Sequence, residues 1–124
     1  DGYLDICSLH SPLTDKARRL NTYETLLEMQ KDGLIGAVGV CNYGVGALDE
    51  IITAGLPPPA INQIELSPFN QHTDIAAWAQ KYGMVLSCAS WSKLSKATGP
   101  VDGWNAVGKI ADQKKMTKAQ VLVR

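Results

Sequence analysis

No stretch of this 124-residue sequence is apolar for long enough to cross a bilayer. Its longest hydrophobic runs are about six to eight residues, against the ~20 that a spanning helix needs. Charge of one sign does not prevail either: 12 Lys and Arg face 12 Asp and Glu, for a formal net charge of zero. Such a balance lacks the basic footprint of a nucleic-acid binder, and no polyanionic partner is expected. Cysteine is scarce. Cys7, Cys41 and Cys88 are odd in number, lie in or at the ends of strand-like runs, and form no close pair of the kind zinc sites use. They read as reduced core thiols, with no disulfide framework and no metal. The opening DGYLDICSL has no charged-then-apolar signal pattern. A cytoplasmic setting is expected, an organelle being open because a removed transit peptide leaves no trace. A G-x-G-x-x-G phosphate turn between strand and helix is missing too; GVCNYGVG, residues 39–46, is only a loose approximation.

What is present is an alternation. With 45% apolar and 19% charged residues, the composition is that of an ordinary globular chain, and the length suits one core and one domain over 1–124. Four short apolar runs, Tyr3 to Leu9, Ile35 to Val40, Ala60 to Leu66 and Met84 to Ala89, are each too short for an average helix and read as buried strands. Between them lie helical patterns. Asn21 and Glu24 have the spacing of an N-cap and its reciprocal partner, after which Tyr23, Leu26, Leu27 and Gln30 step along one face to Gly33. Val45, Leu48, Ile51 and Ile52 share a face that Gly55 and Pro57 to Pro59 bring to an end. Ile75, Ala76, Ala79 and Tyr82 form another, closed by Gly83. Residues 90–100 are rich in Ser, Lys and Gly and read as a working loop. Helical segments follow over 102–115 and 117–124, the second opening with Thr117 and Gln120 in capping-box register.

Strands recurring about every thirty residues with helices between them are βα units, which build parallel sheets with chemistry at the carboxyl ends of the strands. Both an open doubly wound sheet and a closed barrel satisfy that pattern; the absent phosphate turn favours the barrel. Each run here ends in polar groups: His10, Cys41 with Asn42, Gln63 with Glu65, and Ser90.

Those same residues resemble the aldo-keto reductases. YLDICSLHSP is similar to that family's fourth strand, of the type YxDxxLxHxP; GLIGAVGVCNY to its fifth, which ends in V-S-N-F or a near variant; and AINQIELSPFNQ to its sixth, with N-Q-x-E-x-x-P. All three occur in the family's order and spacing. The resemblance implies a partial (β/α)8 TIM barrel of four parallel βα units that lacks the first three strands and the last. It implies NADPH as cofactor, a small-molecule aldehyde or ketone as substrate, and reduction to an alcohol by direct hydride transfer without a metal. The family's catalytic Asp, Tyr and Lys would precede Asp1 and its 2′-phosphate grip would follow Arg124, so the chain alone is expected to be inactive and to need the rest of its barrel, or a partner chain, over its open strand edges.

By the same resemblance His10 would orient the substrate carbonyl, and Asn42 and Gln63 would hold the nicotinamide carboxamide, which needs a paired donor and acceptor. Cys41 stands where the family usually has serine, a stronger hydrogen-bonding group. Ala89 stands where an aromatic ring commonly packs on the nicotinamide, and Trp91, two residues on, is the candidate substitute. Ser90, Ser92, Leu94 and Ser95 fall in the loop that folds over the pyrophosphate. Each has a plainer reading as well: a satisfied strand-end histidine, buried capping amides, loop packing, a solvated Ser/Lys loop. His72, Trp78 and Trp104 read as structural, and Asp5 and Glu65 as strand-end supports. A rival to the reductase is an inactive relative or fragment serving as a structural or interaction subunit.

Overall fold

The computed structural model describes residues 2–89 and 101–123. Strands and helices alternate in the order β1 (Leu4–Leu9), α1 (Lys16–Lys31), β2 (Ile35–Cys41), α2 (Val45–Thr53), β3 (Ile61–Glu65), α3 (Thr73–Tyr82), β4 (Val85–Ala89), α4 (Val101–Lys114) and α5 (Lys118–Val123). The four strands form one sheet in sequence order, β1-β2-β3-β4, with β1 parallel to β2 and β2 parallel to β3. This sequential parallel order, each strand returning through a helix, is that of a (β/α)8 barrel segment. Contacts group the chain into two compact units, Asp1–Ile64 with Thr73–Ser87, and Glu65–His72 with Cys88–Arg124.

In the first unit the strands differ on their two faces. Val38, Val40, Asn62 and Ile64 alternate onto one face and are buried, as are Tyr23 of α1, Leu48 and Ile51 of α2, and Ile75, Trp78 and Ala79 of α3. Burying a Val, Leu or Ile side chain contributes ~1.5–3 kcal/mol, so this layer of helices on sheet is the main support of the unit. Helix pairs are also tied by polar contacts. Arg19 of α1 donates through Nε (2.9 Å) and Nη2 (2.6 Å) to Glu50 Oε2 of α2, and Trp78 Nε1 of α3 donates to Asp49 Oδ1 at 2.8 Å.

The opposite face is set by register: Ile6 lies beside Ala37, Ser8 beside Gly39 beside Ile61, and Cys41 beside Gln63. Leu4 and Ile6 on this face are more than half exposed. Val85 N–H donates to the Ala60 carbonyl at 2.9 Å, which sets Val85, 60% exposed, level with Ile61. Gly39 is required here. A Cβ on it would collide with Ser8 Oγ and come within 2.5 Å of Ile61 Cγ2.

Helix ends follow the residues with one correction. Gly33, Gly55 and Gly83 take positive φ (76, 77 and 71°) just past α1, α2 and α3, as expected of left-handed stops. Helix α1, however, does not begin at Asn21. Its N-cap is Asp15, whose Oδ1 accepts from Arg18 N–H at 3.0 Å, while Asn21 is interior and its carbonyl accepts from Thr25 Oγ1. A carboxylate three residues after Pro12 offers a stronger, earlier acceptor for the orphan amides than the amide at 21.

In the second unit Phe69 packs on Trp104 with ring centroids 6.3 Å apart, Lys118 Nζ lies 5.1 Å from the Trp104 ring, and Val107 and Ala111 are buried. Helix α5 opens with the expected reciprocal cap, Thr117 N–H to Gln120 Oε1 at 2.8 Å and Gln120 N–H to Thr117 Oγ1 at 3.2 Å.

Candidate active site

Parallel strands in register deliver their carboxyl ends to one edge, and three of the singled-out residues meet there. β1 ends at Leu9, so His10 is the next residue and lies exposed; β2 ends at Cys41, so Asn42 follows; Gln63 lies on β3 opposite Cys41. The first two strands stop where their residues turn polar, because a parallel strand covered on one face needs its apolar run only as far as the covering extends.

Asn42 joins the three strand ends. Its backbone is left-handed, φ +61°, a region Asn tolerates better than most residues because its short side chain bonds locally. From there its N–H donates to the Gln63 carbonyl at 2.9 Å and its Nδ2 donates to the His10 carbonyl at 3.1 Å. His10, Asn42 and Gln63 are therefore held at the same end of adjacent strands, with their polar groups open to solvent. Cys41 is buried at 9% exposure, below that rim on the Gly39 face. Ser90, Trp91, Ser92, Leu94 and Ser95 lie outside the described residues.

Behind the rim stand residues that sequence reasoning did not single out. Asn62 has no exposed surface, and its Nδ2 donates to the Tyr43 carbonyl at 2.8 Å while Tyr43 N–H donates to its Oδ1 at 3.4 Å. Period two was the signal available for it: two residues before buried Ile64, position 62 must share that face. Arg19 also reaches the loop after His10, donating through Nη1 to the Pro12 and Leu13 carbonyls at 3.3 Å each. That loop needs holding, since Leu13 itself has φ +55°. No local pattern marks an arginine whose partners are a loop and another helix.

Burial pushes the Tyr43 phenol above its ordinary range; Arg19 opposes the shift and Glu50 adds to it. Tyr23, whose hydroxyl donates to the Pro57 carbonyl at 3.1 Å, is raised further, again by burial first and by Tyr43 second. Both phenols stay neutral and structural at ordinary pH. His72 directly precedes α3, and Trp78 is buried with its indole N–H satisfied, as a packing role requires. Among the described residues no group of three or more His, Cys, Asp or Glu gathers as a metal site would, and no helix is long and apolar enough to cross a membrane.

The donor set at the rim suits a planar amide. Asn42 keeps its Oδ1 and a second N–H beyond the bond to His10, and Gln63 presents a further carbonyl and NH2, so a carboxamide could be met by both a donor and an acceptor.

Comparison with known proteins agrees with this architecture. The profile described as Aldo/keto reductase family matches residues 2–124. Methylglyoxal reductase DkgA of Escherichia coli strain K12 is 31% identical over 122 residues, 98% of this chain and 44% of that enzyme. An uncharacterized oxidoreductase of Schizosaccharomyces pombe, C28F2.05, is 40% identical over 87 residues, 70% of this chain and 31% of that protein. Among solved structures, an aldo/keto reductase from Brucella melitensis superposes with a TM-score of 0.83 at 25% identity, over 100% of this chain and 46% of its own. A Gox0644 mutant crystallised in complex with NADPH gives 0.82 at 30% identity, over 98% and 43%. The chain spans less than half the length of these relatives, yet nearly all of it is matched by one family. It belongs to the aldo/keto reductases.

Proposed function

We propose that these residues form one wall of the active site of an NADPH-dependent reductase that converts an aldehyde or ketone to an alcohol. The supporting observation is Asn42, whose two hydrogen bonds tie the carboxyl ends of β1, β2 and β3 and so gather His10, itself and Gln63 at one edge. The NADPH complex of Gox0644 and the name of methylglyoxal reductase DkgA lend family support. When bound, the nicotinamide supplies the hydride. In this reading Asn42 and Gln63 orient its carboxamide, and Cys41, Ser90, Trp91, Ser92 and Leu94 complete the cofactor contacts. The imidazole of His10 donates a hydrogen bond to the substrate oxygen, on which negative charge develops as the carbonyl is reduced. The whole is one barrel domain to which residues 1–124 contribute four βα units. Of the three expected core thiols only Cys41 is buried, Cys7 being half-buried and Cys88 exposed; all three are free, which suits a reducing, cytoplasmic setting.

The test uses the complete gene product, titrated with NADPH and assayed with methylglyoxal and a panel of other aldehydes. NADPH binding and turnover are expected, and His10→Ala should lower kcat by ~10²-fold while leaving NADPH affinity near the parent value. A protein that neither binds NADPH nor reduces any carbonyl would sink this reading.

A second role, that of a non-catalytic subunit, fits one of the same observations: among the described residues Leu4, Ile6 and Val85 leave apolar side chains exposed on one sheet face. In both readings that face is covered, by the remaining strands of the barrel or by a partner chain. Asp, Tyr and Lys on the strand ends of the upstream sequence would identify the enzyme, and their absence the subunit.

A further inference from the structure

Asn62 is the one amide or charged side chain buried among the described residues, at 0% exposure. Its place on β3 alternates with Ile64 and lies beside Val40, a position where an aliphatic residue would satisfy the packing. A primary amide there is costly unless its polar atoms are bonded. Both edges of this amide go to the main chain of a single residue, Tyr43, by bonds of 2.8 and 3.4 Å. Asn62 thus continues, with a side chain, the ladder that β2 abandons at Cys41.

Tyr43 is the residue next to Asn42. The left-handed conformation of Asn42 persists where its surroundings over-determine it, and here they act from both sides: Asn42 N–H is held by the Gln63 carbonyl and the following residue by Asn62. The Asn42 amide then reaches the His10 carbonyl. We infer that Asn62 is a positioning residue for the reaction, holding Asn42 through the backbone of Tyr43 and, through Asn42, the main chain of His10, so that the imidazole and the carboxamide-binding amides keep one register. This deepens the reductase reading and rests on it.

Asn62→Asp in the complete protein tests the inference. Aspartate keeps the size and the acceptor for Tyr43 N–H, and once its carboxyl ionises it cannot donate to the Tyr43 carbonyl, so the variant is compared with the parent on both sides of that ionisation. The variant is assayed well below its melting temperature with saturating NADPH and methylglyoxal, or with the best aldehyde of the panel. A fall in kcat of about tenfold or more is expected, together with a larger primary isotope effect on kcat with 4-deuterated NADPH, because a displaced His10 slows the hydride step itself. If the variant melts lower but keeps the parent kcat and isotope effect, Asn62 merely braces the core and the inference is overturned. Should Asn62→Asp not fold, Asn62→Ser, which leaves room for water between its hydroxyl and Tyr43, carries the same comparison. A parent protein that shows no NADPH binding or turnover overturns the reductase reading first and this inference with it, an outcome distinct from an unaffected variant of an active enzyme.

Discussion

At the level of single residues, what counts here is close approach and buried polarity. Gly39 is hemmed in by Ser8 and Ile61, its registered neighbours on β1 and β3. Gly39→Ala is expected to destabilise the complete protein by ~1–3 kcal/mol, the usual range for overpacking, as read from urea unfolding. Buried phenols give a pH signature. Tyr23 is nearly inaccessible and its folded-state pKa lies above the ordinary 10.0, so the folded chain holds the phenolic proton more tightly than the unfolded one. That contribution to stability is fully present below about pH 10 and is lost as the pH climbs from there through the folded-state value. Unfolding free energy should therefore fall as the pH rises above about 10, and less steeply in Tyr23→Phe; equal slopes would contradict the assignment. Neither feature shows as a motif. Only the register names what Gly39 makes room for.

Elements divide into those specified locally and those specified at a distance. The Thr117–Gln120 cap and the glycine stops at 33, 55 and 83 were legible because a cap and the helix end it satisfies lie within a few residues of each other. The start of α1 was misplaced because two candidate caps, Asp15 and Asn21, precede the same apolar face, and the choice depends on what else the first turn does. Here that turn carries Arg19 to Glu50 of α2 and to the loop after His10, contacts that an onset at residue 21 would forgo. Asp15→Ala should cost ~1 kcal/mol, in the range for loss of an N-cap acceptor, seen as a lowered urea midpoint with an unchanged m-value. Asn21→Ala should cost less, its side chain having no capping role.

For the whole molecule, the uncovered sheet face dominates. Leu4, Ile6 and Val85 present aliphatic side chains to water on the same face as Gly39 and Cys41, where a closed barrel would pack its interior layers. Residues 1–124 expressed alone should dimerise, aggregate or bind a hydrophobic dye, whereas the complete protein should not bind the dye. A monodisperse 124-residue monomer with a single cooperative melt would contradict this. The three motifs made the family and the βα alternation legible, because strand length, helix period and strand-end polarity are all local properties of the chain. Which residues touch is not local. That Asn42 would turn left-handed and bond His10, that Asn62 would be buried against Tyr43, and that Arg19 would clasp the loop after His10 depend on partners 6 to 32 residues away. Hydrophobic periodicity therefore sufficed to specify the strands and the edge where polar groups collect, while the order of the strands and the bonds that orient those groups had to await the packing of one strand against the next.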